Sequence, residues 1–481
     1  MAAPSIGAGI PREDKLIRSR PPSGSDRTMS TPATSDEASR AGGGEILISG
    51  GTLIDATGAP ARPNPGVLLR GDNIEVVGPG AAEAASAGAE HVDAGGRTVM
   101  PGLIDAHCHA TFDDVQSNDE LFFHRDPATA ALVAGQNLTK MLRAGVTAYC
   151  DPDTLFSMGP SLRNAVEAGV VAGPRISTGV QALVTAVGGT AGRLIPDEGV
   201  VGYAQVVNSL DEAVMWTRRH IKYGADWIKI HATGLLPGRS GEVLGWSRDE
   251  LRAVCDTAHE LGTSVMAHCR SPESAAACAE AGVDMLLHAS FMDAEGLEAV
   301  IESGSALCPT FTFLANLADF GSAVGAGAGM EDIFRGELAA TAKMMRAAYD
   351  AGVPLLCGSE AGFALTPYGH WHGREAEILV NELGLSPMEA IVCATANGAI
   401  AMRLEGRIGT ITEGRVADVL VLDGDPLADI RLLNDRRRIA EVISRGRRVD
   451  LSGPWPAHGP IPGDKVRNWA EQILTYERAY G

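Results

Sequence analysis

Met100-Pro101-Gly102-Leu103-Ile104-Asp105-Ala106-His107-Cys108-His109 runs a short apolar segment into two histidines spaced two residues apart. In extended backbone, residues i and i+2 project to the same side, so His107 and His109 can face one ion. The same pattern of short apolar strands repeats outward from this stretch. Strands are predicted at 100–106, 146–151, 175–179, 227–232, 264–269, 285–289, 306–311 and 354–360. Between them lie segments with helical spacing, as in 249–261 and 330–349. In the first, Leu251, Val254, Cys255, Ala258 and Leu261 fall on one face, and Ser247 and Glu250 have the spacing of a capping box. Eightfold strand–helix alternation predicts an α/β fold, a (β/α)8 TIM-like barrel.

Such a barrel presents its chemistry at the C-terminal ends of its strands. Lys229 and His231 fall on the fourth predicted strand, His268 ends the fifth, His288 the sixth and Glu360 the eighth. Each alone has an ordinary explanation, since a histidine can fill a core and a strand lysine can snorkel to solvent. His107, His109, Lys229, His268 and His288 together, spread over four strands, predict a metal site.

With those residues in place, Pro101-Gly102-Leu103-Ile104-Asp105-Ala106-His107-Cys108-His109 resembles the opening motif of the amidohydrolase superfamily. The resemblance runs from about Glu45 to Val449 and takes in Ala394-Thr395-Ala396-Asn397-Gly398-Ala399 and Gly409-Thr410-Ile411 with Gly414-Arg415-Val416-Ala417-Asp418. It is nearest the branch of imidazolonepropionase-like proteins, metal-dependent dipeptidases and ochratoxin-type amidases, close to carbamate and phenylurea herbicide hydrolases. It implies a divalent metal, zinc first and manganese, cobalt or iron as alternatives. His107 and His109 would hold one ion, His268 and His288 a second, with carboxylated Lys229 between them. One departure stands out. Gly358-Ser359-Glu360 replaces the family's usual Gly-Thr-Asp, and the extra methylene of Glu360 leaves both one and two ions per chain open. Glu360 and His288 are the expected catalytic residues, with Glu360 also a metal ligand and proton shuttle. His231, His370 and His372 are expected to touch substrate.

The implied reaction is hydrolysis of a C–N bond in an amide, carbamate or urea by metal-activated water. Candidate substrates include dipeptides, N-acyl amino acids and phenylurea or thiocarbamate xenobiotics. A ring deaminase sharing the ligands is the alternative enzyme. A non-catalytic assembly protein of the same fold is the alternative from another class.

Outside the barrel the pattern changes. Residues 1–44 are rich in Ser, Pro, Gly and charge and are expected to be a disordered extension, with Met29 an alternative start. Short β segments at 45–98 and again beyond 401 predict one small β-sandwich built from both chain ends, with a C-terminal tail to 481; the barrel occupies 99–400. At 481 residues and 45% apolar composition the chain suits a barrel plus a companion domain. A net charge of −20 argues against sequence-independent nucleic-acid or anionic-membrane binding. No apolar run approaches the ~20 residues of a membrane span, and no signal segment is evident. The eight scattered cysteines form no CxxC pair and point to a reducing cytoplasm. A homo-oligomer acting on a small molecule is expected.

Overall fold

A computed structural model describes residues 44–117, 125–189, 202–236, 240–459, 461 and 469–481. The expected extension, apart from Gly44, lies outside the described residues. Parallel strands make a TIM-barrel-like α/β fold. Leu103–Asp105 pairs with Val146–Asp151, which pairs with Arg175–Thr178. A second parallel run follows the order Ala182–Val184, Trp227–His231, Ser264–Cys269, Met285–His288, Ala306–Cys308. Backbone hydrogen bonds join the two runs into a ring. The Asp226 amide donates to Thr178 at 2.7 Å on one side, and segment 354–360 bridges the other.

That segment corrects the sequence reading, which expected an eighth strand there. Among the described residues it carries only one isolated bridge, between Leu355 and Leu307. It alternates between neighbours: Leu356 donates to Leu307, while Ala106 and Glu360 pair with Cys357 and His107. Glu360 itself sits at φ 52°, in the left-handed region, which ends any extended run. The first expected strand is also two. Thr98–Pro101 pairs antiparallel with Val419–Leu422 outside the barrel, and only Leu103–Asp105 joins the ring. Gly102 permits the switch, because a Cβ there would lie 2.2 Å from the Thr147 hydroxyl oxygen. The seventh strand stops at Cys308, and the helix Phe311–Phe320 begins where strand was expected. Its first amides donate to the buried carboxylate of Glu375 at 2.9 Å, satisfying donors that a helix start leaves unpaired.

The helix Arg248–Glu260 has the expected capping box between Ser247 and Glu250 and buries Leu251, Val254, Cys255 and Ala258. Leu261 does not share that face; it caps the helix and is 54% exposed. The two chain ends form a four-stranded sheet, including Glu45–Ser49 and Val67–Arg70, and a six-stranded sheet built on Val419–Leu422 and Thr98–Pro101. Ile46, Ile48, Val67 and Leu69 from the first share one apolar cluster with Val99, Val419, Val421 and Ile443 from the second. Burying each such side chain contributes roughly 1.5–3 kcal/mol. The tail departs from the expected grouping with these sheets. Leu474 hydrogen-bonds Ala364 and Trp371, so Trp469–Gly481 packs on the barrel. All eight cysteines are buried and free. No described helix is long and apolar enough to cross a membrane.

Candidate functional site

His107, His109, Lys229, His231, His268, His288 and Glu360 all line one cavity of roughly 750 Å³ at the C-terminal mouth of the barrel. Strand alternation places Lys229 and His231 on the same side of Trp227–His231. The His268 ring lies 4.6 Å from that of His288 and 4.8 Å from that of His231, and His107 lies 5.0 Å from His109. His288, Thr310 and Glu360 close the sixth, seventh and eighth strand positions with φ of 64°, 55° and 52°. Non-glycine residues held there cost about 1–3 kcal/mol each. Of the three, His288 and Glu360 line the cavity, and Thr310 hydrogen-bonds His107.

Hydrogen bonds decide which ring nitrogens are available. Thr310 Oγ1 donates to the Cys308 carbonyl, so it accepts from His107 Nδ1 at 3.0 Å. His109 Nδ1 hydrogen-bonds the Asp153 backbone carbonyl at 3.3 Å, with the Asp153 carboxylate 3.2 Å away, and His268 Nε2 meets Glu242 at 2.8 Å. These contacts leave Nε2 of His107, Nε2 of His109 and Nδ1 of His268 for another ligand. His288 Nε2 is buried without a hydrogen-bond partner among the described residues. Donors of His107, His288 and Glu360 lie within 4.8 Å of one another. Three imidazoles oriented by an outer oxygen, at His107, His109 and His268, beside the unpartnered His288 in one cavity, fit a divalent ion. Lys229 is 2% exposed, with its Nζ 3.8 Å from Asp153.

Electrostatics follow the same division. Burial, reinforced by Lys229, holds His107 well below the ordinary histidine value, and burial with His268 does the same to His288. Burial also opposes charge on His109, but Asp153 and Asp151 outweigh it and the net shift is upward. Burial raises Glu360 against the pull of His109 and His268. Glu242 resists burial and falls to about 2 because His268 and Arg270 face it. Neutral imidazoles at His107 and His288 beside acidic groups suit a cation.

The structure does not bring His370 and His372 to the cavity, contrary to the sequence expectation. His372 Nδ1 is 2.7 Å from Asp105 and its Nε2 accepts from the Gly369 amide. His370 accepts from the Tyr476 amide at 3.2 Å and sits between Arg436 and Glu477. Both ring faces are spent on holding the segment after Glu360. In their place stand residues the sequence reading missed: Asp153, Tyr203, Arg270, and an apolar wall including Phe313, Phe363 and Trp469. Asp151-Pro152-Asp153 repeats the i, i+2 spacing of the histidine pair at the end of the next strand, a signal that was available. Glu242 was not legible, because it reaches His268 from a two-stranded hairpin, Thr233–Leu235 with Glu242–Leu244, that only tertiary contacts position.

Comparison with known proteins gives the family and the fold. A family model described as "Amidohydrolase family" matches residues 98–449. The chain is 27% identical to ochratoxinase of Aspergillus niger over 397 residues, 77% of this chain and 78% of that one. A prolidase solved with N-methylphosphonate-L-proline superposes with a TM-score of 0.74 at 27% identity, covering 84% of this chain and 99% of that one. Phenylurea hydrolase B shares the fold, with a TM-score of 0.68 at 23% identity over 86% of this chain and all of that one, 100%.

Proposed function

The chain belongs to the amidohydrolase family, and from that premise we propose that it cleaves a C–N bond of a small amide, carbamate or urea with a divalent metal held in this cavity. The observation that carries the reading is the set of ring nitrogens of His107, His109, His268 and His288 left unengaged toward one space. In this reading His107 and His109 hold one ion, His268 and His288 a second or shared one, and zinc is the first candidate. Lys229 carries a carboxylate, formed when its amine adds to carbon dioxide and loses a proton, and so joins the ligand set. The metal would supply Lewis acidity, lowering the pKa of water and polarising the substrate carbonyl.

The chain's own residues do the rest. Glu360 takes the proton of the attacking water and returns it to the departing nitrogen. His288, beside it, ligates and helps hold the carbonyl oxygen. Asp153 orients His109 through its backbone carbonyl and Glu242 orients His268 through its carboxylate, as outer oxygens do for ligating imidazoles. His231, held by Asp153 at 2.9 Å, lines the substrate side of the cavity. The two sheets formed by the chain ends are read as one small β-sandwich domain beside the barrel.

Metal analysis of the purified protein, followed by a screen of N-acyl amino acids, dipeptides, aryl ureas and thiocarbamates, tests the proposal. Bound divalent metal and acyl or carbamoyl cleavage are expected. Full activity in metal-free protein, or ammonia release from ring substrates without acyl cleavage, would reject it.

A further inference from the structure

The cavity also has an apolar lining, made by Phe112, Phe313, Leu314, Phe334, Phe363 and Trp469, with the Phe112 ring stacked on His109 at 4.2 Å. Four of the chain's ten phenylalanines are gathered here, in a protein with only 5% aromatic residues. Phe313 is their hub, edge-on to Phe363 at 5.4 Å, to Trp469 at 5.6 Å and to Phe334 at 6.2 Å. Rings meeting edge to face leave flat, apolar surface for another ring.

The charges at the cavity are already matched. Its described lining holds two cations besides histidine, Lys229 and Arg270. Lys229 faces Asp153 and belongs to the ligand set proposed above. The Arg270 fork is engaged on both edges: Nε and Nη2 donate to Glu337 at 3.0 and 2.6 Å, and Nη1 to Glu242 at 3.3 Å. Glu337 is 6% exposed and comes from the helix Met330–Asp350, outside the cavity lining. Three of the five guanidinium N–H groups are thus held by two carboxylates that match its charge, and an unpaired carboxylate entering an apolar site is strongly disfavoured.

We infer that this cavity selects uncharged substrates bearing an aryl group, and that Glu337 is the specificity-determining residue that excludes carboxylates by occupying Arg270. The inference rests on the C–N hydrolase reading and narrows its substrate class to neutral anilides, aryl carbamates and aryl ureas. Dipeptides and N-acyl amino acids with a free carboxylate are the excluded class.

The test uses matched pairs differing by one distal charge: acetanilide against 4-acetamidobenzoate, and 1,1-dimethyl-3-phenylurea against its 4-carboxy derivative. The full-length metal-loaded protein should show a kcat/KM at least about tenfold higher for each neutral member. Glu337→Gln should shrink that ratio by about tenfold through a lower KM for the carboxylates, while Glu337→Asp keeps the parent ratio. A ratio between two substrates does not move with the fraction folded, so loss of stability alone cannot imitate the result. Equal or better turnover of the carboxylates by the parent protein overturns the inference, as does an unchanged ratio in a folded Glu337→Gln. If Glu337→Gln does not fold, the parent ratio decides. If no member of either pair is cleaved, the hydrolase reading fails for these bonds. Calorimetric binding of the same pairs then judges this proposal separately, with tighter binding of the charged members rejecting it.

Discussion

At Glu360 a carboxylate sits on backbone held at φ 52°, pinned by its amide to the His107 carbonyl and by its own carbonyl to Thr366. That double anchoring aims a long side chain at a fixed point, which suits a proton carrier more than a loosely placed ligand. Glu360→Gln should lower kcat by about 10²–10⁴-fold while metal analysis finds most of the ion retained; Glu360→Asp should keep part of the activity. A Gln variant turning over at the parent rate would move the base elsewhere, with His231 the next candidate in the cavity. For Lys229, replacement by Ala should remove both metal and rate, with partial rescue by small carboxylic acids. Normal metal content and rate in that variant would reject the carboxylated lysine. Glu375 offers a pH test of stability. Burial raises it to about 8 despite the Phe311 and Thr312 amides that favour its charge. The folded state therefore holds this proton where the unfolded state has lost it. The associated stability is full below about pH 4.5 and is lost as pH rises to about 8. Thermal melts of Glu375→Gln should show a shallower decline across that window than the parent.

The elements that set the site are the first strand and the segment after the seventh, and one carboxylate staples them. Asp105 Oδ1 accepts from the His107 and Ser359 amides at 3.2 and 3.0 Å, and Oδ2 from the Ser359 hydroxyl and from His372. His107 and Glu360 are thus registered to each other through a side chain that lies outside the cavity lining. Asp105→Asn turns an amide toward donors. It should cut kcat by at least about tenfold, as misplacement of reacting groups does, with little change in KM. A KM effect alone would contradict a positioning role. By contrast the helix Arg248–Glu260 is ordinary scaffolding. Ser247→Ala removes its capping box and should cost about 1 kcal/mol in denaturant unfolding, without altering kcat/KM.

Across the whole molecule, the ring of strands is joined by hydrogen bonds that are continuous but uneven, and its active-site end carries buried imidazoles with unengaged nitrogens. Metal binding would satisfy those groups only in the folded chain. Chelation should therefore abolish activity and lower the melting temperature, both restored by a divalent ion. Saturation at about a hundredfold over Kd contributes roughly 2.7 kcal/mol. Unchanged melting after verified metal removal would mean that the ion, if bound, contributes nothing to this fold.

Local pattern determined much of this protein. Strand–helix alternation, the capping box at Ser247 and the histidines and lysine at strand ends depend on neighbours a few residues away, and periodicity and spacing record such relations directly. The division of strand one at Gly102, the irregular closure at 354–360 and the seat of the C-terminal tail depended on contacts between residues well apart in sequence, with Thr147, Leu307 and Trp371 respectively. Proximity in sequence also misled. His370 and His372 follow Glu360 closely, yet Asp105 and Tyr476 claim their rings. Which nitrogens stay unengaged, and that Glu337 occupies Arg270, were decided only by the tertiary structure. A hydrogen bond depends on two groups meeting at about 3 Å, and no linear pattern encodes that distance.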